Sequence, residues 1–323
     1  MSNPLHTTVA ITGGCGYIGT QLVSRLISAN HRVIVIDNLE RENKTNIYSR
    51  AVFYNTDIRD INLHKIFQKE HPDCIFHLAA SKSVTQSMET PKEFYDINVY
   101  GSSNVFSAAQ RANVKRIIFP STAGVYGNSV HLVPQRETDT TNPSSVYAQT
   151  KLVTENELLS LEKKGIEGII LRFANVYGQG GNEYAEGVIG LFIKSLLQDK
   201  GITLHGDGTQ TRDFIYMDDL MELCLLIKQV QYDRIKALPI FNVSTGQTTS
   251  INMIITTISQ ALGIHPIIIH EPSAFIGQKS SILDSTRAKE ILGWTAKTSL
   301  EDGIISTIAY YKSKQNNKVL HKN

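Results

Sequence analysis

Short apolar runs alternate with amphipathic stretches through the first half of the chain. The runs are rich in β-branched and aromatic residues, which favour strands, and the stretches between them carry apolar residues at helical spacing. This alternation predicts a parallel sheet with helices crossing over it. The predicted strands are Thr8 to Thr12, Arg32 to Asp37, Val52 to Asn55, Cys74 to Leu78, Arg116 to Pro120 and Gly168 to Phe173.

Helices are predicted between these strands and beyond them. Pro91 lies near the first turn of one of them, where a missing N–H is tolerated. One predicted helix begins at about Tyr17. The other predicted helices cover Pro91 to Arg111, Val146 to Lys164, Val188 to Leu197 and Asp218 to Lys228.

The order of elements indicates an α/β fold, a doubly wound parallel sheet followed by a smaller C-terminal α/β lobe. The first domain is predicted at residues 1–175. The lobe is predicted mainly at residues 176–312, where glycine-rich loops separate shorter elements, with some segments returning to the first domain. From Lys312 the chain is polar and basic, which predicts disorder and a flexible tail at residues 313–323.

Composition disfavours several classes of function. With 32 basic and 30 acidic residues, the formal charge of +2 provides no long-range field for nucleic acid or a membrane. Cys15, Cys74 and Cys224 lack the spacing of metal ligands and cannot all pair, so no metal site is predicted and a reducing cytoplasm fits best. The N-terminus lacks a signal-peptide pattern, and no apolar run approaches the roughly 20 residues that span a bilayer. The chain is therefore predicted to be soluble and cytoplasmic.

Gly14, Gly16 and Gly19 form a G-x-G-x-x-G motif between the first strand and the helix that follows it. Glycines there permit a tight turn and a close approach of the backbone to a pyrophosphate, which the helix N-terminus attracts. This is the context of a Rossmann-type dinucleotide site.

Asp37 ends the second strand, where a carboxylate would bind ribose hydroxyls and repel a 2′-phosphate. NAD is therefore favoured over NADP. Arg41 and Lys44 follow closely and could bind that phosphate, which leaves NADP open.

Tyr147 and Lys151 lie four residues apart on a predicted helix and so share one of its faces. The ordinary pKa of tyrosine is near 10, and a neighbouring ammonium together with a bound cofactor would lower it towards the phenolate that acts as a base. The spacing alone is common on helix surfaces. The glycine motif gives it meaning, because that motif would place a dinucleotide nearby.

Motifs through most of the chain resemble the extended short-chain dehydrogenase/reductase family, within it the NAD-dependent epimerase/dehydratase group, and most closely its nucleotide-sugar 4-epimerases. The resemblance implies NAD as cofactor, a nucleotide-sugar substrate and a homodimer joined through the helices at Pro91 to Arg111 and Val146 to Lys164. The motifs are TGGCGYIG, VIDNL, DIRD, FHLAA, FYDINVYGSSNV, PSTAGVYG, VYAQTK, LRFANVYG, GDGTQTRDFIYMDDL, FNVSTGQ and DSTRAKEILGW.

Matching positions imply roles for individual residues. Thr122, Tyr147 and Lys151 fall on the catalytic positions. Those implied for the cofactor are Gly13, Gly16, Tyr17, Ile18, Gly19, Asp37, Asn38, Asp57, Ile58, Leu78, Ala79, Ala80, Lys82, Tyr147 and Lys151. Those implied for the substrate are Lys82, Ser121, Thr122, Tyr147, Asn175, Val188, Arg212 and Ser281, with Asn98 near the wall of the site.

The implied reaction is NAD-dependent epimerisation of a nucleotide diphosphate sugar, a UDP-hexose or UDP-N-acetylhexosamine at C4, through a transient 4-keto sugar, for surface polysaccharide precursors. Tyr147 would take the proton of the C4 hydroxyl, Thr122 would hydrogen-bond the sugar oxygen, and Lys151 would bind the nicotinamide ribose. Arg212 would bind the diphosphate, or else form a surface ion pair with Asp213. An NAD(P)H-dependent reductase of a keto-sugar nucleotide shares nearly every motif and is the alternative.

One departure from the family's pattern concerns the reaction. Ala123 and Gly124 stand where the related dehydratases carry an acidic pair. Elimination of water then has no evident acid or base, so dehydratase activity is disfavoured.

A second departure concerns the substrate. The run SAFIGQKSSILDSTRAK has Ala274 or Phe275 at the usual position of an arginine, and Lys279 could replace it. Ser281 falls beside the C2 substituent of the sugar, where a small residue would admit an N-acetyl group. Its alternative is an exposed loop residue.

Two aromatic residues have structural and functional interpretations. His77 ends a strand and is predicted to be packed or hydrogen-bonded rather than catalytic. Tyr177 could border the nicotinamide or the sugar, or could simply pack.

Overall fold

The computed structural model describes residues 7–40, 49–128, 133–180, 187–272 and 279–320. Four residues with sequence predictions lie outside them: Arg41, Lys44, Ala274 and Phe275. The strands are β1 (Thr8–Thr12), β2 (Arg32–Asp37), β3 (Val52–Asn55), β4 (Cys74–His77), β5 (Arg116–Thr122), β6 (Glu167–Phe173), β7 (Asn175–Tyr177), β8 (Ile202–His205), β9 (Thr211–Arg212), β10 (Phe214–Tyr216), β11 (Ile240–Val243), β12 (Thr249–Ser250) and β13 (Ile268–Glu271). The helices are α1 (Tyr17–Ser28), α2 (Leu63–Glu70), α3 (Val84–Glu89), α4 (Pro91–Tyr95), α5 (Gly101–Arg111), α6 (Val146–Ser160), α7 (Val188–Leu197), α8 (Met217–Ile227), α9 (Ile251–Leu262), α10 (Thr286–Leu292) and α11 (Leu300–Leu320).

Within this part of the chain, seven strands form a parallel sheet in the order β3-β2-β1-β4-β5-β6-β11. The chain first builds outward from β1 to β3 and then returns to the other side of β1, so the direction of building reverses between β1 and β4. Open parallel sheets bind ligands beyond the carboxyl ends of their strands at such a reversal. The predicted doubly wound α/β fold is confirmed.

Helices cover both faces of this sheet, which is why its strands read as nearly continuous apolar runs. On one face Ile11 of β1 packs in a cluster with Leu22 of α1 and Leu220 of α8. On the other face Ile34 of β2 packs in a cluster with Phe106 of α5. Among the described residues, no helix is long and apolar enough to cross a bilayer.

The predicted helix from Pro91 to Arg111 is helical throughout but contains a π-helical segment, Asp96–Tyr100, between α4 and α5. Such segments are rare and occur often at functional sites. The helix predicted from Val146 is α6, continued by a 3₁₀ turn at Leu161–Lys164. Ser145 caps it by accepting a hydrogen bond from the backbone nitrogen of Ala148 at 3.2 Å.

The second half of the chain forms a lobe with small two-stranded sheets, β7 with β10, β8 with β13 and β9 with β12. Its core includes Ile193 of α7, Ile254 of α9 and Ile304 of α11. Segments beyond residue 175 also return to the first domain. Strand β11 joins the large sheet by pairing with β6, and helix α8 packs on α1, which covers one face of that sheet. The chain thus crosses between lobe and sheet more than once.

The end of the chain differs from the sequence prediction. The backbone of α11 stays helical through Lys312 to Leu320, where the polar composition predicted disorder. Ile304, Ile308 and Tyr311 are buried and hold the first part of the helix against the lobe. Once a helix has formed, adding further residues costs little, so a polar run can extend it.

Candidate active site

The turn after β1 leaves no room for a Cβ at Gly13 or at Gly19. Gly13 has a φ of 71°, and a Cβ added to it would lie 2.7 Å from the backbone nitrogen of Ala79. A Cβ on Gly19 would lie 2.2 Å from the carbonyl oxygen of Gly13. Gly16 is the N-cap of α1 and supplies no side-chain acceptor for the first N–H groups of the helix. This bare cradle at a helix N-terminus fits the pyrophosphate of a dinucleotide.

Asp37 lies beside the glycine cradle. Its Oδ2 accepts a hydrogen bond from the backbone nitrogen of Cys15 at 3.0 Å, and its Oδ1 accepts one from Leu39 at 2.9 Å. Burial raises the pKa of Asp37, and these two bonds act in the opposite direction. Each oxygen retains a lone pair for a ribose hydroxyl, so the carboxylate fits the role predicted for it.

Three further residues predicted for the cofactor, Asn38, Asp57 and Ile58, lie just past the ends of β2 and β3. Asn38 Nδ2 donates to Asp57 Oδ2 at 2.9 Å. A hydrogen bond from Arg59 is the main cause that lowers the pKa of Asp57 to about 2. Ile58 is buried beneath this corner. The structure therefore brings Asn38, Asp57 and Ile58 together.

The other residues predicted for the cofactor line the same edge of the sheet. Tyr17 donates its hydroxyl to the carbonyl oxygen of Gly178 at 2.9 Å, and Lys82 Nζ lies 5.8 Å from the centre of the Tyr17 ring. The backbone nitrogen of Leu78 donates to Thr12 at 3.0 Å, which holds the loop after β4 against the cradle. Two further members of the set are half-buried: Ile18 and Ala80.

Thr122 ends β5 at this edge. Its Oγ1 accepts a hydrogen bond from the backbone nitrogen of Gly124 at 3.1 Å and begins a 3₁₀ turn, Ala123–Tyr126. A Cβ added to Gly124 would lie 3.3 Å from the Cβ of Ala148 and 3.4 Å from Thr122 Oγ1. Because Ala148 directly follows Tyr147, the first turn of α6 lies beside Thr122.

Burial dominates the electrostatics of Tyr147 and Lys151. It raises the pKa of Tyr147 to about 12 and lowers the pKa of Lys151 to about 7, the latter against an opposing effect of Glu155. In the protein alone, loss of hydration is the largest effect on both groups, and the lowering of the Tyr147 pKa by Lys151 with a bound cofactor stays a prediction. Lys151 Nζ lies 4.2 Å from the centre of the Phe119 ring, which replaces part of its hydration.

The positions that are acidic in dehydratases cannot readily hold a carboxylate here. Ala123 is buried in the core, and a side chain at Gly124 would crowd Ala148. Ser121 is buried at the end of the same strand, and its Oγ has no hydrogen-bond partner among the described residues. The Ser121 hydroxyl is therefore available to hydrogen-bond a ligand at this edge of the sheet.

A cavity of about 620 Å³ lies on the lobe side of this edge. Thr122 pairs with Phe173, and Asn175, two residues further along, lines the cavity. Val188 of α7 and Arg212 of β9 line it as well. Three residues predicted for the substrate thus meet in a space of the size that holds small-molecule ligands.

Arg212 lies in the cavity wall with a backbone partner. Its Nη1 donates to the carbonyl oxygen of Thr211 at 2.7 Å. Asp213 instead accepts hydrogen bonds from Thr245, nitrogen at 3.0 Å and Oγ1 at 2.7 Å, and from the nitrogen of Gly246 at 2.9 Å. The alternative of a surface ion pair between Arg212 and Asp213 is therefore wrong. Burial lowers the pKa of Arg212, as expected of a cation that awaits an anionic ligand.

The backbone of Ser281 is hydrogen-bonded to the chain on both sides of Arg212. Its backbone nitrogen donates to Thr211 at 3.3 Å, and its carbonyl oxygen accepts from Asp213 at 3.1 Å. Ser281 is 3% exposed, so the alternative of an exposed loop residue is wrong. Lys279, the suggested replacement for the missing arginine, is exposed two residues earlier.

His77 is a fully buried, hydrogen-bonded residue. Its Nδ1 lies 2.7 Å from Thr12 Oγ1 and its Nε2 lies 2.8 Å from Ser102 Oγ. Burial, with a smaller effect of Lys151, lowers the pKa of His77 to about 3. Both ring nitrogens are occupied, which confirms the structural interpretation.

Tyr177 packs inside the lobe. Its ring centre lies 6.3 Å from that of Phe214 and 5.4 Å from that of Tyr216, both edge to face. Its hydroxyl lies 3.5 Å from the carbonyl oxygen of Ser299, near the start of α11. Of the two interpretations of Tyr177, packing is the one confirmed.

Asn98 of the π-helical segment hydrogen-bonds two segments next to the site, the loop after β4 and helix α6. Its Oδ1 accepts from the nitrogen of Ser81 at 2.8 Å. Its Nδ2 donates to the carbonyl oxygen of Ser81 at 2.9 Å and to Thr150 Oγ1 at 3.0 Å. These bonds join the loop before Lys82 to α6 at the residue before Lys151.

The sequence profile of the NAD dependent epimerase/dehydratase family matches residues 9–244. The chain belongs to this family. A putative UDP-glucose 4-epimerase of Methanocaldococcus jannaschii is 35% identical over 309 residues, which cover 94% of this chain and 98% of the relative. The structure of UDP-glucose 4-epimerase from Thermotoga maritima with UDP-glucose superposes with a TM-score of 0.88 at 33% identity, covering 95% of this chain and 99% of that one. UDP-N-acetylglucosamine 4-epimerase from Methanobrevibacter ruminantium, in complex with UDP-N-acetylmuramic acid, gives a TM-score of 0.86 at 28% identity, covering 95% and 99%.

Sequence reasoning missed part of the cavity wall in this epimerase/dehydratase family member. Thr203, His205 and Gln210 line the cavity together with Arg212. Strand β8 alternates buried and exposed residues, so one set of side chains faces away from the core of the lobe. The alternation of apolar and polar residues in ITLH, a few residues before Arg212, is the sequence pattern that could have indicated these cavity residues.

Proposed function

We propose that the protein epimerises a UDP-linked sugar at C4 with an NAD molecule that it keeps bound. The observation that carries this proposal is the meeting of Thr122 and the first turn of α6 between the glycine cradle and the cavity that Arg212 lines. The related UDP-sugar 4-epimerases support the choice of substrate.

The reaction begins with proton transfer from the sugar. Thr122 hydrogen-bonds the C4 oxygen, and Tyr147 accepts the C4 hydroxyl proton as that carbon becomes a carbonyl. The Lys151 ammonium favours the phenolate form of Tyr147 that this requires. The glycine cradle and Asp37 would hold NAD, which when bound would supply the acceptor and later the donor of the C4 hydride. Tyr147 returns its proton to the C4 oxygen after the keto sugar has presented its other face, so the configuration at C4 is inverted without net redox change.

The cavity residues hold the nucleotide diphosphate. Arg212 presents a guanidinium whose fork matches two phosphate oxygens. Ser281 is small and buried beside that strand, and at the position implied by the resemblance it would leave space for an N-acetyl group at C2 of the sugar. We therefore include UDP-N-acetylglucosamine among the expected substrates. Residues 1–175 would hold mainly NAD and residues 176–312 mainly the substrate.

A panel of nucleotide sugars tests the function directly. The purified protein is incubated without added cofactor with UDP-glucose, UDP-N-acetylglucosamine and the corresponding dTDP and GDP sugars, and products are identified by NMR. The C4 epimers of the UDP sugars are expected. Stoichiometric consumption of added NADH or NADPH with a keto-sugar nucleotide, and no epimer, would instead establish the reductase. Failure to turn over the acetylated sugar alone would contradict the assignment of Ser281.

We also propose that the enzyme is a cytoplasmic homodimer. Cys74 and Cys224 are buried free thiols, which suits a reducing compartment. Tyr100, at the end of the π-helical segment, is 66% exposed and Val153 of α6 is 41% exposed. These large apolar side chains lie on the two helical segments through which the dimer was predicted to form.

A further inference from the structure

A buried acidic residue follows Lys151 on the catalytic helix. Glu155 lies one turn further along α6, on the helix face that also carries Tyr147 and Lys151. Its side chain is 1% exposed. It pairs with Arg172 of β6, whose Nη2 donates to Oε2 at 2.7 Å while Nε lies 3.2 Å from both carboxylate oxygens.

Arg172 is held in place by the turn that follows Thr122. Its guanidinium carbon lies 4.8 Å from the centre of the Tyr126 ring. The Tyr126 hydroxyl donates to Asn242 Oδ1 at 2.7 Å, which extends the network to β11. Glu155 is therefore fixed by contacts from outside its own helix, one helical turn from Lys151.

This ion pair needs an explanation other than stability. Removing two charges from water is costly, and apolar side chains of similar size often stabilise a fold as well or better. Neither Glu155 nor Arg172 takes part in the chemistry proposed for the site. What the pair provides is a fixed anion one turn from a buried lysine.

The surroundings of Lys151 otherwise give its cation little support. Tyr147 precedes it on α6, His77 faces it from β4, and the Phe119 ring lies over it from β5. His77 is neutral in the fold, because burial lowers its pKa to about 3. Burial also lowers the pKa of Lys151, and the opposing influence comes from Glu155.

We propose that Glu155, held by Arg172, is a positioning residue that favours the ammonium form of Lys151 on the helix face that also carries Tyr147. Its importance for turnover rests on the proposed function, in which the ammonium favours the Tyr147 phenolate. The coupling between Glu155 and Lys151 does not depend on that function and can be measured in the protein alone.

The direct test is an NMR titration of Lys151 in protein labelled with ¹³C-lysine, with the signal assigned through its loss in Lys151→Met. In Glu155→Gln the midpoint of Lys151 should fall by about one pH unit, as for loss of a close opposite charge. Glu155→Asp should keep most of the wild-type midpoint. Glu157→Gln is the matched control, because Glu157 lies on the same helix and binds Ser103 instead.

Glu155→Gln leaves Arg172 buried without its carboxylate and could prevent folding. The double variant Glu155→Gln, Arg172→Gln replaces the ion pair with two amides that can hydrogen-bond. Because it removes the Arg172 cation as well as the Glu155 anion, the Lys151 midpoint should fall by less than in the single variant. An unchanged midpoint in whichever of these variants folds would overturn the proposal.

The pH dependence of turnover shows whether the coupling serves catalysis. The limb of the kcat profile on which activity falls with rising pH should move to lower pH in the Glu155 variant by the same amount as the Lys151 midpoint, with KM little changed. A midpoint that moves without this limb would overturn the link to catalysis. If the wild-type protein turns over no nucleotide sugar, the proposed function fails and the titration still decides the role of Glu155.

Discussion

Single residues of the site hold protonation states that the surrounding protein dictates. Tyr147 stays protonated in the protein alone because burial raises its pKa to about 12. Lys151, with a pKa lowered to about 7, is close to losing its charge at neutral pH. Chemistry that needs a phenolate and an ammonium together must therefore draw on a further charge, and Glu155 is fixed in a position to support the ammonium.

Replacing Tyr147 with phenylalanine removes the proton acceptor and leaves the glycine cradle intact. Turnover should fall by about 100- to 10,000-fold, the usual contribution of a general base or acid. Bound NAD, measured by absorbance after denaturation, should stay at the wild-type level. Tyr177→Phe is the control, because Tyr177 packs inside the lobe and should retain turnover. Wild-type turnover in Tyr147→Phe would remove this residue from the mechanism.

His77 makes the fold sensitive to acid. Its pKa is about 3 in the fold and near 6.5 in an unfolded chain, so between these values the unfolded state binds the additional proton. Stability from this residue is complete above pH 6.5 and is lost as the pH falls. Acidification from pH 6.5 to 5 should cost up to about 2 kcal/mol through His77.

Urea unfolding at pH 8 and pH 5 measures that contribution. His77→Asn is less stable at both pH values, but it should lose about 2 kcal/mol less than the wild type between them. Equal losses in the two proteins would contradict the assignment. Because other groups titrate in the same range, only the difference between the proteins is informative.

Residue roles that follow from local sequence could be predicted, and those that depend on distant packing could not. The glycines and Asp37 lie in the first strand–helix–strand unit, and local context was enough to place them. The partner of Asp213 is a loop more than thirty residues away, and the spacing of the sequence could not reveal it. The direction of the Tyr147 pKa depends on burial, which a helix-face argument omits.

At the scale of elements, the join between β1 and α1 sets the cofactor site. A Cβ on Gly19 would lie 2.2 Å from the carbonyl oxygen of Gly13, so the helix would have to move away from the strand. Gly19→Ala should therefore lose stability by about 1–3 kcal/mol, as overpacked sites do. The affinity for NAD should fall about tenfold or more, since 1.4 kcal/mol of lost binding free energy suffices.

Gly187→Ala is the matched control for that measurement. A Cβ at Gly187 would have its nearest neighbour at 3.8 Å, the carbonyl oxygen of Val176. This variant should keep its NAD. Full retention of NAD in Gly19→Ala would show that the cradle tolerates displacement of α1.

Element boundaries could be predicted where apolar periodicity marks them. Among the described residues, six of the seven strands of the large sheet lie within about two residues of their predicted bounds, because each is an apolar run between breakers. The seventh strand, β11, was not predicted. The π-helical segment at Asp96–Tyr100 was not predictable, since its hydrogen-bond pattern is fixed by contacts of Asn98 with Ser81 and Thr150. The helix beyond Lys312 was missed because composition does not report that a packed helix precedes it.

At the scale of the whole molecule, the two halves of the chain are interleaved. β11 completes the large sheet and α8 covers one of its faces, although both come from the second half of the chain. The cavity accordingly receives Asn175 from the first residue of β7, just past the end of β6, and Arg212 from β9 of the lobe. A sequence that changes pattern near residue 175 predicts a lobe there, but not which later segments return.

The proposed dimer would cover the exposed Tyr100 and Val153. Analytical ultracentrifugation at micromolar concentration should show a dimer for the wild type and a monomer for Val153→Glu and for Tyr100→Glu, because a buried unpaired charge opposes association. Leu226→Glu, an equally exposed apolar position on α8, should leave the dimer intact. A monomeric wild-type protein would contradict the proposal.

The fate of the C4 hydrogen tests the central claim most directly. UDP-glucose carrying deuterium at C4 is incubated with the protein as purified, and the product is analysed by NMR and mass spectrometry. Inversion through a 4-keto sugar, with the hydride removed from and returned to the same carbon, predicts UDP-galactose that retains the deuterium at C4. Inversion with loss of the label to solvent, or no inversion in protein that carries its NAD, would contradict the account.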